Sequence, residues 1–288
     1  MRGLVVQWRM SRSALVLALL LLWSPHNPAL RVLVIGANGK TGKKVVETAL
    51  KRDCDVVAVT RGGTLAEPPA YSLSKRLSVV CGDVTSSSSL SKLISKGSAD
   101  AVVYCASASK EGGSAEQVDC DGVISCAKLC IENKIPSFVI VSSGAVSKPW
   151  SPVYLFLNLF GGIMAAKFKG EEKVRSLYSA CGDDDLGYTI VRPGGLTEEP
   201  PLGVEGLEMN QEDVMSGRVS RWDVAEVCYE AAKSNRRLTF ELYNRDTGKP
   251  LSSVGFSNLF KLQSEEGVAK GLRSSSYETI FTGLKKDA

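Results

Sequence analysis

Gly36, Gly39 and Gly42 are spaced three residues apart, between the apolar run "RVLVIG" and a segment of helical periodicity from Gly42 to Arg52. Glycines at a strand-to-helix junction permit a tight turn and a close approach of the backbone to a ligand. The first turn of the helix then offers unpaired N–H groups and the positive end of its dipole to an anion. The G-x-x-G-x-x-G spacing differs from the usual G-x-G-x-x-G. Its setting, after the first strand and at the start of the first helix, is the one in which such a loop holds the pyrophosphate of a dinucleotide. Asn38, Lys40 and Thr41 complete the loop. The alternative is a glycine turn needed only for packing.

Other strand ends bear on the same ligand. A carboxylate after strand two would bind the ribose hydroxyls of NAD. The chain has Arg61 there, in "AVTRGG", and Asp55 lies at the strand's other end. A guanidinium matches a 2′-phosphate in charge and in bidentate geometry, and Lys40 adds positive charge nearby, so the expected cofactor is NADP(H). Arg61 could instead be a solvated surface residue. Asp83, in "CGDVTSS", is placed to accept from an adenine amino group or to cap a turn. Ala106 and Ser107 end strand four with small side chains that leave room for the cofactor. Ser142 and Ser143, in "VIVSSGA", are expected at the reactive end, either orienting a carbonyl or capping the strand.

The elements that must hold these residues follow from hydrophobic periodicity. "RVLVIG", "DVVAVT", "LSVVCG", "AVVYCA", "FVIVSS" and "YTIVRP" are continuous apolar runs, the signature of strands buried on both faces of a parallel sheet. Helical segments separate them. One of them, "SAEQVDCDGVISCAKLCIENK", opens with an S-x-x-Q capping signal at Ser114 and Gln117. Another, "MAAKFKGEEKVRSLYSA", carries Val174, Leu177 and Tyr178 toward the core. The alternation predicts a doubly wound α/β Rossmann fold over residues 30–270. From about 195 a small C-terminal substrate lobe is expected, formed by a Gly/Pro loop, the helix "SRWDVAEVCYEAAKS", the strand "RLTFELYN" and a short helix "SSVGFSNLFKL". In the first of those helices Arg221 and Asp223 read as a structural helix start. Residues 271–288 read as a polar, mobile tail.

Residues 1–29 contain Arg2, Arg9 and Arg12, no acid, and an apolar run from Ala14 to Trp23 that is too short to span a bilayer. They read as a targeting leader, of signal or organelle-transit type. With the leader set aside, the formal charge of +4 falls close to neutrality, and no nucleic-acid partner is expected. The eight cysteines form no CxxC pair and several fall at core positions, which favours a reducing compartment and no metal site. The sole histidine, His26, lies in the leader, so histidine triads and histidine metal sites are excluded from the folded body.

"GANGKTG", "TR" after strand two, "GDVT", "VSSGA", a downstream lysine, "YTIVRPGGL" and "SRWDVAEV" occur in that order over residues 31–262. Together they resemble the atypical NAD(P)-binding branch of the short-chain dehydrogenase/reductase superfamily, and most closely its small plant and algal members. The resemblance implies that Val84 lies beside Asp83 at the adenine, and that the backbone of Arg192, Pro193 and Gly194 closes over the nicotinamide. It also implies a Tyr-x-x-x-Lys pair for proton transfer. Lys167 fits the lysine, but the tyrosine position is Ile163. Lys167 would still bind the nicotinamide ribose; the competing reading is a surface pair with Glu171. Tyr154 is a weak candidate for a displaced acid. A plastid destination follows from the resemblance, with a cytoplasmic or endomembrane one as alternatives.

Two functions remain open on these residues. One is an NADPH-dependent oxidoreductase acting on a small apolar carbonyl or quinone-like compound. The other is a non-catalytic NADP(H)-binding redox sensor or photosynthetic assembly factor, as some members of the branch are. A nucleotide-sugar epimerase is disfavoured by the missing tyrosine and the short C-terminal lobe. The aromatic-rich stretch "KPWSPVYLFLNLFGG" reads as ordinary core, as an apolar lid over the substrate, or as a contact for a membrane-associated partner through Trp150–Phe160.

Overall fold

A computed structural model describes residues 29–66, 70–109, 112–159, 161–256 and 271–287. The leader, Phe160 and most of the expected helix "SSVGFSNLFKL" lie outside these residues.

The chain runs β1 (Arg31–Ile35), α1 (Lys40–Lys51), β2 (Asp55–Thr60), β3 (Leu77–Cys81), α2 (Ser87–Leu93) and β4 (Ala101–Tyr104). A π-helical segment, Glu116–Gly122, then leads into α3 (Val123–Glu132) and β5 (Ser137–Val141). After these come α4 (Pro152–Asn158), α5 (Ile163–Cys181), β6 (Gly187–Pro193), β7 (Gly195–Thr197), β8 (Leu207–Asn210), β9 (Met215–Ser216) and β10 (Arg218–Ser220). The last elements are α6 (Arg221–Ala232), β11 (Arg237–Asn244), β12 (Lys249–Pro250) and α7 (Tyr277–Thr282).

Eight strands form one sheet in the order β3-β2-β1-β4-β5-β6-β11-β8, parallel except for β8, which runs antiparallel to β11. This is the doubly wound parallel architecture expected from the valine-rich runs. One face packs Val32, Val34 and Val56 against Val45, Val46 and Ala49 of α1 and against α6. The other packs Leu33, Ile35 and Phe138 against Leu90, Cys126, Val174 and Tyr178 of α2, α3 and α5. β3 departs from the expectation of burial on both faces: Leu77, Val79 and Val80 are only half-buried and Ser78 and Cys81 are exposed, because it is the sheet's edge.

The region after residue 195 gives more to the sheet than a separate lobe would. β11 pairs with β6 along Arg237–Leu242, and only the short ladders β7/β10 and β9/β12 stand apart. The mobile-tail expectation is corrected. Ile280 and Phe281 of α7 are buried in the core, with the Phe281 ring 5.8 Å from that of Phe240. Asp287 accepts hydrogen bonds from Tyr188 Oη (2.9 Å) and Thr239 Oγ1 (2.6 Å). Two buried apolar side chains contribute roughly 1.5–3 kcal/mol each, enough to hold a six-residue helix whose periodicity is too short to read. No helix among the described residues is long and apolar enough to cross a membrane.

Candidate functional site

The strand order reverses between β1 and β4, the place where open α/β sheets bind ligands outside the strands' carboxyl ends. A cleft of about 520 Å³ opens there. Gly36, Asn38 and Gly39 form one side, Arg61 the second, Asp83 and Val84 the third, and Ala106 and Ser107 the floor. Gly36 has φ +82°, and a Cβ there would lie 2.6 Å from the Ala106 nitrogen. A Cβ on Gly42 would lie 2.2 Å from the Gly36 oxygen, so only glycine lets α1 start directly under the turn. Gly39 caps α1 in an extended conformation with no side-chain cap, and the first turn carries no acid. The first-turn N–H groups, from Lys40, Thr41 and Gly42, therefore have neither an intrahelical acceptor nor a competing carboxylate. This cradle suits a dinucleotide pyrophosphate. Lys40 and Thr41 themselves do not line the cleft.

Two expected contacts are occupied within the protein. The Asn38 amide donates to Thr64 O (2.9 Å) and accepts from Ala66 N (3.0 Å), so it ties the glycine loop to the loop after β2 rather than facing a ligand. Asp83 takes its turn-capping reading. Its Oδ1 accepts from Thr85 N (2.9 Å) and Thr85 Oγ1 (2.8 Å), and these two bonds, followed by Arg61's charge, hold the carboxyl below its usual range. Arg61 is exposed and lines the cleft, and its Nη1 lies 3.0 Å from where Gly112 would carry a Cβ.

Lys167 has a partner that neither of its readings named. Its Nζ lies 2.8 Å from Asp119 Oδ1, and the lysine side chain is 12% exposed against 0% for the aspartate. The surface pair with Glu171 is corrected: Glu171 is buried and pairs with Arg192 and Arg175 instead. Asp119 also accepts from Ser107 Oγ (2.8 Å) and Ala108 N (2.8 Å), which fasten the end of β4 to the same carboxylate. Two features bring the pair together. The π segment offsets the helical phase so that Asp119 turns inward. A Cβ on Gly170 would lie 2.8 Å from Asp119 O, so glycine lets α5 approach. Asp119 was missed in the sequence because a 3.6-residue period cannot place a residue inside a π turn.

The reactive end is only partly as expected. Ser142 Oγ is buried without a hydrogen-bond partner, in a small cavity shared with Lys167, Asp119 and Glu171. Ser143 Oγ donates to Gly144 O at 3.1 Å. The Arg192 side chain is buried, its Nε and Nη2 reaching Glu171 at 3.1 and 2.5 Å. Pro193 O accepts from Gly144 N (2.9 Å) and Gly194 N donates to Leu242 O (2.9 Å), so these backbone groups join strands rather than line the cleft. Tyr154 and Ile163 pack against the cluster of Ala145, Val146, Met164 and Leu251. Asp223 does more than start a helix, since it accepts from Leu202 N, Gly203 N and Asn244 Nδ2.

Beneath the loop after β5 lies a buried acid cluster with no sequence signal. Asp213 Oδ1 accepts from Ala145 N (2.6 Å), and its Oδ2 accepts from Ser147 N (2.7 Å). Both Asp213 (φ +57°) and Ala145 (φ +66°) are left-handed, a conformation that tertiary contacts must hold. Glu241 accepts from Asp213 N (2.9 Å) and Val214 N (3.1 Å). Burial pushes Glu241 up to about 7, with Asp213's charge adding to it and the two N–H groups and Arg192 opposing. Its folded state holds the proton more tightly than the unfolded chain. The resulting stability is complete below the ordinary value of 4.5 and is lost as pH rises through about 7. The urea midpoint is expected to fall between pH 5 and 8, by up to about 3 kcal/mol in stability, and Glu241→Gln should flatten that fall. An equally steep fall in the variant would remove Glu241 as its source.

Comparisons with known proteins agree with this geometry. The model of the NAD(P)H-binding family matches residues 36–235. An uncharacterized chloroplastic protein of Arabidopsis thaliana is 35% identical over 211 residues, covering 70% of this chain and 71% of that one. A second chloroplastic Arabidopsis protein is 27% identical over 258 residues, covering 80% and 74%. The plastid destination expected for the chain is the one these relatives carry. Among solved structures, a Bacillus halodurans protein assigned as an NAD-dependent epimerase/dehydratase is 26% identical, with TM-score 0.58 over 78% of this chain and 97% of that one. A Veillonella parvula short-chain dehydrogenase/reductase in complex with NADP shares the fold at 18% identity, with TM-score 0.58 over 76% and 96%. The chain belongs to the NAD(P)H-binding family, with a Rossmann fold.

Proposed function

We propose that the protein is an NADPH-dependent oxidoreductase acting on a small apolar carbonyl or quinone-like compound. The observation that carries this reading is the cleft itself: a glycine cradle under a helix start free of acids, with a guanidinium at the position where NAD-binding chains carry a carboxylate. A bound nicotinamide dinucleotide supplies hydride chemistry. The chain's own residues do the rest. The α1 N-terminus neutralises the pyrophosphate, and Arg61 pairs with the 2′-phosphate. Lys167 spends one ammonium proton on Asp119 and keeps two for the nicotinamide ribose hydroxyls. Asp119 is buried and anchored by Ser107 and Ala108, so it holds that ammonium in one place.

No tyrosine stands four residues before Lys167, and Ser142 Oγ, in a small cavity with Lys167, has no hydrogen-bond partner among the described residues. The reading therefore favours acceptors whose product needs no phenolic proton donor, such as quinones, with water or a serine hydroxyl donating where a proton is required. The test is fluorescence titration with NADPH and NADH, followed by NADPH oxidation over a panel of quinones and carbonyls. NADPH binding with turnover of at least one quinone supports the reading. Binding without turnover over the whole panel leaves the non-catalytic sensor or assembly role. Binding of neither dinucleotide refutes both.

A further inference from the structure

A second cleft, of about 670 Å³, is built by the loop after β5, the turn between β8 and β9, and the segment after β12. That volume lies in the range of pockets that hold drug-sized molecules. Its walls are apolar: Trp150, Pro152, Val214, Leu251 and Val254. Trp150 is 86% exposed and Val214 40%, so large apolar surface faces the opening with nothing from the described residues covering it.

The polar groups of this lining are unequal. Asp213 has both carboxylate oxygens engaged with the backbone beneath, at Ala145 and Ser147. Ser151 Oγ caps α4 by accepting from Tyr154 N, and Ser253 Oγ donates to Pro250 O. Lys148 is the one side-chain cation lining the cleft, it is half-buried, and it has no ion-pair partner among the described residues. The ammonium of a half-buried lysine among apolar walls loses hydration on every side that a ligand covers. An occupant that is purely apolar would strand it, whereas one with an anionic group would pair with it in a charge-assisted bond.

We propose that this cleft binds an apolar small molecule bearing one anionic group, a carboxylate or its equivalent, with Lys148 pairing the anion and Trp150, Val214 and Leu251 flanking the apolar body. The assignment names a substrate class for the oxidoreductase reading and rests on that reading only for turnover. Asp213, which lines the cleft, also holds the loop following Ser142 and Ser143 and lies 3.9 Å from Arg192 Nη1. A lipid surface is the less suitable occupant, because the cation sits in a concave lining rather than around a convex apolar face.

Two matched dyes test the site without turnover: anilinonaphthalene sulfonate and its neutral counterpart, N-phenylnaphthylamine. The sulfonate dye is expected to bind about tenfold more tightly than the neutral one. Lys148→Gln should remove that preference and leave the neutral dye's affinity within about twofold, while Trp150→Ala weakens both dyes. Equal binding of the two dyes, or a preference that survives Lys148→Gln, overturns the proposal. So does co-sedimentation with anionic vesicles that Trp150→Ala abolishes, in the absence of any dye preference; that result gives the face to a membrane. NADPH titration run on the same samples separates the two readings. Dye preference without NADPH binding refutes the oxidoreductase reading and keeps the anion-binding cleft.

Discussion

Arg61→Ala is expected to weaken NADPH binding about 10- to 100-fold while leaving NADH affinity within about twofold. A 2′-phosphate carries up to two charges, and a charged hydrogen bond contributes about 1.5–3 kcal/mol. Arg61 is the cleft-lining cation, one residue past the end of β2. Asp83, the nearby acid, is already stabilised by Thr85 and does not depend on this arginine for its bonds. Because Arg61 is exposed, its contribution should be screened by salt, so the NADPH preference should shrink measurably between low ionic strength and about 1 M. Arg61→Lys should recover part of the affinity, since a lysine keeps the charge and loses the bidentate fork. Unchanged NADPH affinity in the alanine variant would remove phosphate recognition from this residue and with it the preference for NADP(H).

Removal of Glu171 should produce the largest loss of stability. Arg192 is 4% exposed, and its guanidinium is held by Glu171 through Nε and Nη2, with Asp213 more distant at 3.9 Å. Glu171→Ala leaves that charge buried and nearly unpaired, which costs about 3–5 kcal/mol, a large part of the total stability of a typical domain. A fall in melting temperature of about 10 °C follows for a chain of this size. The double substitution Glu171→Leu with Arg192→Met removes both charges and should recover most of the loss. Thermal unfolding of the three variants decides the matter. A fall below about 3 °C for Glu171→Ala would show that Asp213 or water satisfies the Arg192 charge left behind.

The parts of this protein that were legible in the sequence are those that local physics specifies. Continuous valine and isoleucine runs need burial on both faces, so the parallel sheet followed from them, and β3 departed only where its place in the strand order left it at an edge. The glycine loop was legible because a turn and a helix start impose conformational demands within seven consecutive residues. Arg61 was placed by its position one residue past a strand end. The capping box at Ser114 formed as its spacing indicated, with Gln117 N donating to Ser114 Oγ and Gln117 Oε1 accepting from Ser114 N.

What could not be read in advance depends on which elements become neighbours. Lys167 had an equally good local partner in Glu171, and only the meeting of α5 with the π segment gave it Asp119 instead. Asn38 had the chemistry of a ligand contact, yet Thr64 O and Ala66 N, backbone groups brought close by folding, claimed it. The cluster of Glu171, Arg192, Asp213 and Glu241 joins four separate segments, and Lys148 acquires its apolar surroundings from two loops more than sixty residues away in the chain. Periodicity and spacing report on interactions a few residues long. Burial of a charge, and therefore its partner and its proton affinity, is a property of surfaces that exist only once those distant segments are packed together.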